Sequence, residues 1–295
     1  MRYDDTQNPH ADFDPLAVLT GMPGAVTATG LRAAGETEAL LSAAVAAGLP
    51  CYLTGPRGGG KSSSVTAFAA RHGRRLVRLQ LTADTQPGDL IGQIGLVAGS
   101  TQFEPGPLVR AFVAGAWVLL DEVDMAPPGT LAALHAVLER PATLTFDGVT
   151  YQQTARRRWF HVFATGNTHG HGDRSGLYAG TRQLNGAFLD RFMIVRVPEL
   201  PLAAFQAVLD EAAVPESVAR FIVKVVKDTR QSARGDRMSE AVSMRQVEQF
   251  AAVYRILAAR STPREALAAA FTATISAKFS GADREALNQL LEMYQ

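Results

Sequence analysis

A chain of 295 residues, 47% hydrophobic and 19% charged, has the composition of a soluble globular protein of about two domains, which excludes a long disordered tract. A formal net charge of +1 excludes a global pull toward nucleic acid or an anionic membrane, and a single cysteine excludes an internal disulfide framework. No run approaches the ~20 apolar residues of a membrane-spanning helix.

Residues 1–23, rich in Pro, Asp and Asn, read as an extended N-terminal arm. Met1 to Pro15 is polar and acidic, unlike the apolar centre of a signal peptide, and the expected localisation is cytoplasmic. A helix is expected over Glu36–Ala47, then a short buried strand, Cys51–Thr54, in which Cys51 is a small apolar filler. The run Gly55-Pro56-Arg57-Gly58-Gly59-Gly60-Lys61-Ser62 that follows fits the G-x-x-x-x-G-K-[ST] phosphate-binding loop. Its glycines let the backbone wrap so that successive N–H groups face an anion at the positive end of the next helix. Lys61, at a helix position expected to be exposed, would reach the β- and γ-phosphates. The Ser62 hydroxyl would hold Mg²⁺, and Ser63 is counted with the nucleotide contacts. A helix over Ser62–His72, stopped by Gly73, completes the strand–loop–helix context the motif needs. Such a chain binds a nucleoside triphosphate. Arg57 departs from the small residue common in this loop, and its chemistry suits either phosphate or a neighbouring subunit.

Further strand patterns lie at Leu76–Leu81, Trp117–Leu120, Trp159–Thr165 and Met193–Val197, alternating with helices at Pro107–Ala114 and Gly129–Arg140. This alternation predicts an α/β fold, a parallel five-stranded sheet with helices on both faces. Trp117-Val-Leu-Leu-Asp121-Glu122 is an apolar strand ending in two acids. Asp121 is assigned to the Mg²⁺ shell and Glu122 to the attacking water. Asn167 ends the strand after that. Alone it is ordinary turn chemistry; third in a series of strand ends, its carboxamide would help hold the lytic water. Two hairpins interrupt the pattern, one turning at Gly99-Ser100 within Ile94–Phe103, the other at Asp147-Gly148 within Ala142–Tyr151.

Arg191 lies between Leu189-Asp190 and a further strand, where an arginine is often a structural ion-pair partner. Glu199-Leu-Pro201 marks a boundary: residues 24–198 form the nucleotide-binding domain, and 199–295 a smaller all-helical lid. In the lid, Ser243 and Gln246 make a capping-box pair that opens an amphipathic helix. Arg245 sits in its first turn, where a cation is unfavourable by ~0.3–1 kcal/mol unless an anion answers it. ATP would answer it; Asp236 or Glu240 would serve equally.

Asp89-Leu-Ile-Gly92, Phe103-Glu-Pro-Gly-Pro-Leu108, Asp121-Glu122, Gly172-Asp-Arg-Ser-Gly-Leu-Tyr-Ala-Gly-Thr181, Gln183-Leu-Asn185 and Leu189-Asp-Arg-Phe192 together resemble the MoxR-type AAA+ ATPases, over about residues 35–260. Within them the likeness is to the CobS-like branch, the ATPase subunits of aerobic cobaltochelatases. The resemblance implies a homo-oligomeric ring, a hexamer, with ATP between subunits. It makes Asn167 the sensor-1 residue, Arg191 an arginine finger acting on the neighbour's γ-phosphate, and Arg245 the sensor-2 arginine. It also implies that the two hairpins engage a client, and that the partner is a von Willebrand A-domain protein. A nucleic-acid motor resembling McrB is the alternative. Arg156-Arg157-Arg158 resembles a nucleic-acid patch, but three arginines beside a strand more often form a solvated face or a subunit contact. His169-Gly-His171 is half a metal site at best.

Overall fold

The computed structural model describes residues 35–56, 58–97, 100–152, 160–166, 181–235 and 237–294. The N-terminal arm, Arg57, the turn at 98–99, the arginine run, Asn167, and the histidine pair with most of the adjoining glycine-rich stretch lie outside these residues.

Five parallel strands, β1 (Cys51–Thr54), β2 (Leu76–Gln80), β5 (Trp117–Asp121), β8 (His161–Gly166) and β9 (Met193–Arg196), form one sheet in the order β2-β5-β8-β1-β9. The three inner strands are buried along their whole length, which is why they read as unbroken apolar runs. Side chains alternate between the two faces. On β5, Trp117 and Leu119 join a cluster with Leu41 and Ala44 of α1 (Gly35–Ala47) and Val65 and Phe68 of α2 (Lys61–Arg71). Val118 and Leu120 face the other way, toward Leu108 and Phe112 of α4 (Pro107–Val113). Phe68 stacks on Trp117 with centroids 5.4 Å apart, and burying a side chain of this size contributes ~1.5–3 kcal/mol.

The sequence pattern suggested one helix over 129–140. The structure has two short ones, α5 (Pro128–Ala133) and α6 (His135–Leu138). Bonds from Leu134 N to Leu131 O and from Val137 N to Leu134 O tighten the backbone to a three-residue spacing there. Pro141 then disfavours a helical Arg140, so α6 ends early. The first insertion hairpin pairs β3 (Gly92–Val97) with β4 (Ser100–Pro105), following the short α3 (Pro87–Ile91). The second pairs β6 (Thr143–Phe146) with β7 (Val149–Gln152). They touch through an aromatic stack: Phe103 lies 5.6 Å from Phe146, which lies 4.3 Å from Tyr151.

After β9 the described chain is helical: α8 (Leu202–Glu211), α9 (Glu216–Arg234), α10 (Met244–Ala258), α11 (Pro263–Thr274) and α12 (Gly281–Tyr294) share a separate core around Phe205, Ile222, Phe250 and Phe271. Among the described residues no helix is long and apolar enough to cross a membrane.

At the amino-terminal end of β8, His161 is 7% exposed, and its Nε2 has no hydrogen-bond partner among the described residues. Burial lowers its pKa from 6.5 to about 4. The folded state therefore binds fewer protons than the unfolded chain between these values. The stabilising contribution is complete above the unfolded pKa and is lost as pH falls through the folded one, about 3 kcal/mol in all. Thermal melting of the His161→Phe variant should depend much less on pH over this window. An unchanged slope would assign acid sensitivity to other groups.

Candidate functional site

The register aligns the carboxyl ends of the inner strands, pairing Thr54 with Gly166 and Leu120 with Ala164, while Gln80 pairs with Asp121. Ligands of open parallel sheets bind at this edge. The loop from β1 to α2 begins at Gly55, whose φ of 154° suits glycine; a Cβ there would stand 2.4 Å from the Val197 carbonyl oxygen. At Gly58, φ is 70° and a Cβ would come within 2.8 Å of Ser243 Cβ. The loop therefore lies directly against the N-cap of α10, whose capping box joins Ser243 and Gln246 as the sequence predicted.

Lys61 opens α2 and is buried, 8% exposed, contrary to the expectation of an exposed helix position. Its Nζ folds back under the loop and donates to the carbonyls of Gly55 (3.0 Å) and Pro56 (3.1 Å). Burial lowers its pKa, and the charges of Asp124, Asp121 and Glu122 oppose that shift. Ser62, next on the helix, donates its hydroxyl to Asp121 Oδ1 at 2.7 Å. Ser63 is exposed.

Asp121 is 3% exposed and accepts on both oxygens. Oδ1 takes the hydroxyls of Ser62 and Thr165, and Oδ2 takes two donors of Arg78, Nε at 2.7 Å and Nη2. Glu122 follows with a left-handed backbone, φ 58° and ψ 48°, a conformation that costs a non-glycine residue energy and clusters at functional sites. Its N–H donates to Thr165 Oγ1 at 3.1 Å, and its Oε2 accepts from Gln80 Nε2 at 2.7 Å. Asp124, in the 3-10 turn Val123–Met125, is fully buried, and its charge adds to burial in raising the Tyr52 phenol.

The structure thus gathers the described loop residues 55–56 and 58–60 with Lys61, Ser62, Asp121 and Glu122 at one edge. Arg245 is exposed in the first turn of α10, two residues from the Ser243 that meets the loop. Arg191 is held elsewhere. Its Nε bonds Glu139 Oε1 at 2.8 Å and its Nη1 the Ala187 carbonyl, so it is an ion-pair partner within its own chain. Arg57 and Asn167 fall outside the described residues.

Comparison with known proteins identifies the family. The AAA domain of the dynein-related subfamily matches residues 50–192. Protein NorQ of Paracoccus denitrificans is 31% identical over 240 residues, 81% of this chain and 85% of that protein. The chain belongs to the MoxR-type AAA+ ATPases. Aerobic cobaltochelatase subunit CobS of Sinorhizobium is 33% identical over 165 residues, 54% of this chain and 49% of CobS. Midasin of Dictyostelium discoideum is 32% identical over 188 residues, 63% of this chain but 3% of midasin. The chain therefore spans about half of CobS and a small part of midasin. Among solved structures, NtrX of Brucella abortus shares the fold, with a TM-score of 0.54 at 17% identity over 83% of this chain and 52% of that one. Membership places this chain in a family of nucleotide-binding ATP hydrolases.

Around Asp121, Glu122 and Lys61 the structure adds Arg78, Gln80, Thr165 and Asp124, which sequence reasoning missed. A signal existed for the first two. In Leu76-Val-Arg-Leu-Gln80 the polar residues alternate, which puts them on one face of a strand. Only the register shows that this face meets Asp121 and Glu122. Among the described residues no group of three or more His, Cys, Asp or Glu side chains could hold a metal ion by itself.

Proposed function

We propose that this chain is the Mg²⁺-dependent ATP-hydrolysing subunit of a homo-oligomeric ring, a hexamer by family resemblance, which remodels a protein partner bearing a von Willebrand A domain. The observation that carries the reading is the Ser62–Asp121 hydrogen bond, which joins the phosphate loop to the acidic strand with Glu122 next in the chain.

Residues 55–63 would cradle the phosphates with backbone N–H groups, and Lys61 would pair with the β- and γ-phosphates. The Ser62 hydroxyl and the Asp121 carboxylate are oxygen donors that suit Mg²⁺, and they would hold it. Bound there, Mg²⁺ neutralises charge on the transferring phosphoryl group. Glu122 would polarise the attacking water and Asn167 help hold it. Arg245 would approach the same nucleotide from the lid, and Arg191 would serve a neighbour's; its observed contacts are with Glu139 and Ala187, not with the phosphate loop of its own chain. The proposed division into a nucleotide domain over 24–198 and a lid over 199–295 is supported by the separate core of the helices after β9. CobS is a cobaltochelatase subunit, and a chelatase-like complex is the specific setting proposed.

The client would meet the hairpins. Ile94 and Leu96 on β3 are 72% and 77% exposed, large apolar side chains with no nucleotide role. Replacing both with Ser should leave basal ATPase activity close to wild type and abolish stimulation by the A-domain partner. Phe103 and Phe146 must be kept, because they pack the hairpins together. The Glu122→Gln ring, loaded with ATP, should retain that partner in a pull-down from the native host. Recovery of DNA and no A-domain protein, with ATPase activity stimulated by DNA, would overturn the reading in favour of a nucleic-acid motor.

A further inference from the structure

Glu139 stands where α6 ends and the second hairpin begins, with an extended backbone at φ −77° and ψ 172°. Its carboxylate grips Arg191, which lies 52 residues later and follows the short α7 (Gly186–Leu189). The Ala187 carbonyl on α7 takes a second donor of the same guanidinium. His135 of α6 and Phe188 of α7 meet beside it, with ring centroids 5.9 Å apart. Of the five guanidinium N–H groups, these contacts engage two among the described residues, and three remain for an outside anion.

The exposure of the pair argues against a role in stability. The Arg191 side chain is 26% exposed and that of Glu139 54%. Ion pairs this open to solvent contribute ~0–1 kcal/mol to folding. What the grip does achieve is orientation. A free arginine carries about 2 kcal/mol of rotamer entropy, which must be lost when it docks on a phosphate. Here the loss is met before the ligand arrives, and the open edge of the fork is fixed.

We infer that Glu139 is a positioning residue that aims Arg191 at the nucleotide of the neighbouring subunit, so that the base of the second hairpin and the arginine move as one unit. The inference rests on the reading of Arg191 as a finger acting between subunits. It adds a physical connection from a client-facing hairpin to the neighbour's site, one that runs through a single carboxylate.

The test uses the full chain and four variants, Glu139→Ala, Glu139→Gln, Arg191→Ala and Lys61→Ala. Misaiming a catalytic group by about an ångström costs up to ~10²-fold, so Glu139→Ala should lower kcat by about tenfold or more while leaving KM for ATP and the melting temperature near wild type. Glu139→Gln keeps an acceptor of the same shape and should recover part of the loss. Mixing decides the direction of action. A Glu139→Ala subunit has an intact Lys61 and a misaimed Arg191; a Lys61→Ala subunit has the reverse. Mixed rings should regain activity at interfaces that join the two intact groups, as should mixtures of Arg191→Ala with Lys61→Ala. If Arg191→Ala is inactive and complemented while Glu139→Ala turns over like wild type, the inference fails and the finger reading stands. Failure of Glu139→Ala to be complemented, where Arg191→Ala is, also overturns it. If Arg191→Ala itself retains wild-type turnover, the finger reading falls and the inference falls with it.

Discussion

Replacing Lys61 with alanine should remove measurable ATP binding. The buried ammonium is already in place under the loop, held by two carbonyls and facing Asp121, Glu122 and Asp124. Without it, a triphosphate would feel the nearby charges of Asp121, Glu122 and Asp124 and two carbonyl oxygens that have lost the ammonium, and the local field would oppose the ligand. At ~4 Å and an effective dielectric constant of about 20, one charge pair amounts to ~4 kcal/mol, or about a thousandfold in affinity. Calorimetric titration with Mg²⁺ and ATP reads this directly. The substitution should also loosen the empty loop, since Nζ bonds the Gly55 and Pro56 carbonyls. Lys61→Met, which keeps much of the aliphatic bulk and loses only the charge and its bonds, controls for that. Both variants should keep the α/β core intact, as the helical circular dichroism signal would report. Affinity close to wild type in both would sink the phosphate-loop assignment.

The elements legible in the sequence were those whose physics is local. Cys51–Thr54, Trp117–Asp121 and His161–Gly166 are buried on both faces, so each wrote an unbroken apolar run that ends within a residue of the observed strand. The α10 cap was legible because Ser243 and Gln246 stand three apart and bond each other's backbone. The turn after β1 was legible because Gly55 and Gly58 answer backbone demands that no other residue meets. What stayed hidden depends on register and on long loops. Arg78 reaches Asp121 across 43 positions, and Gln80 reaches Glu122 across 42; no pattern within β2 encodes those partners. The exposed polar face of this strand is the one that holds both acids. The left-handed backbone of Glu122 was equally invisible, because it is imposed by the turn into Val123–Met125 rather than preferred by glutamate. For Arg191 the sequence named the kind of partner to expect at an element boundary, an acid, but not Glu139. The burial of Lys61 was missed because helix position alone does not reveal that the side chain folds back under the loop.

Replacing Glu122 with glutamine should separate binding from chemistry: ATP binds, and turnover falls by roughly 10²–10⁴-fold. The structure makes this substitution unusually clean. Glu122 is placed by its backbone, through the strained φ and the N–H bond to Thr165, and a change of side-chain charge disturbs neither. The Gln80 amide that donates to Oε2 finds an acceptor in the new carboxamide oxygen, so the side chain keeps its position. Only the charge proposed to polarise water is lost. Asp121→Asn is the informative contrast. Asp121 takes donors on both oxygens, from Ser62, Thr165 and Arg78. A carboxamide would turn one donor against another and leave Arg78 without its charge partner. That variant should lose stability and weaken the Mg²⁺ dependence of binding, whereas Glu122→Gln should melt like wild type. Phosphate release under single-turnover conditions, with nucleotide affinity measured on the same samples, distinguishes the two outcomes. Turnover retained by Glu122→Gln would mean that another group activates the water. The buried Asp124, whose charge is felt at Lys61, would then be the next carboxylate to replace.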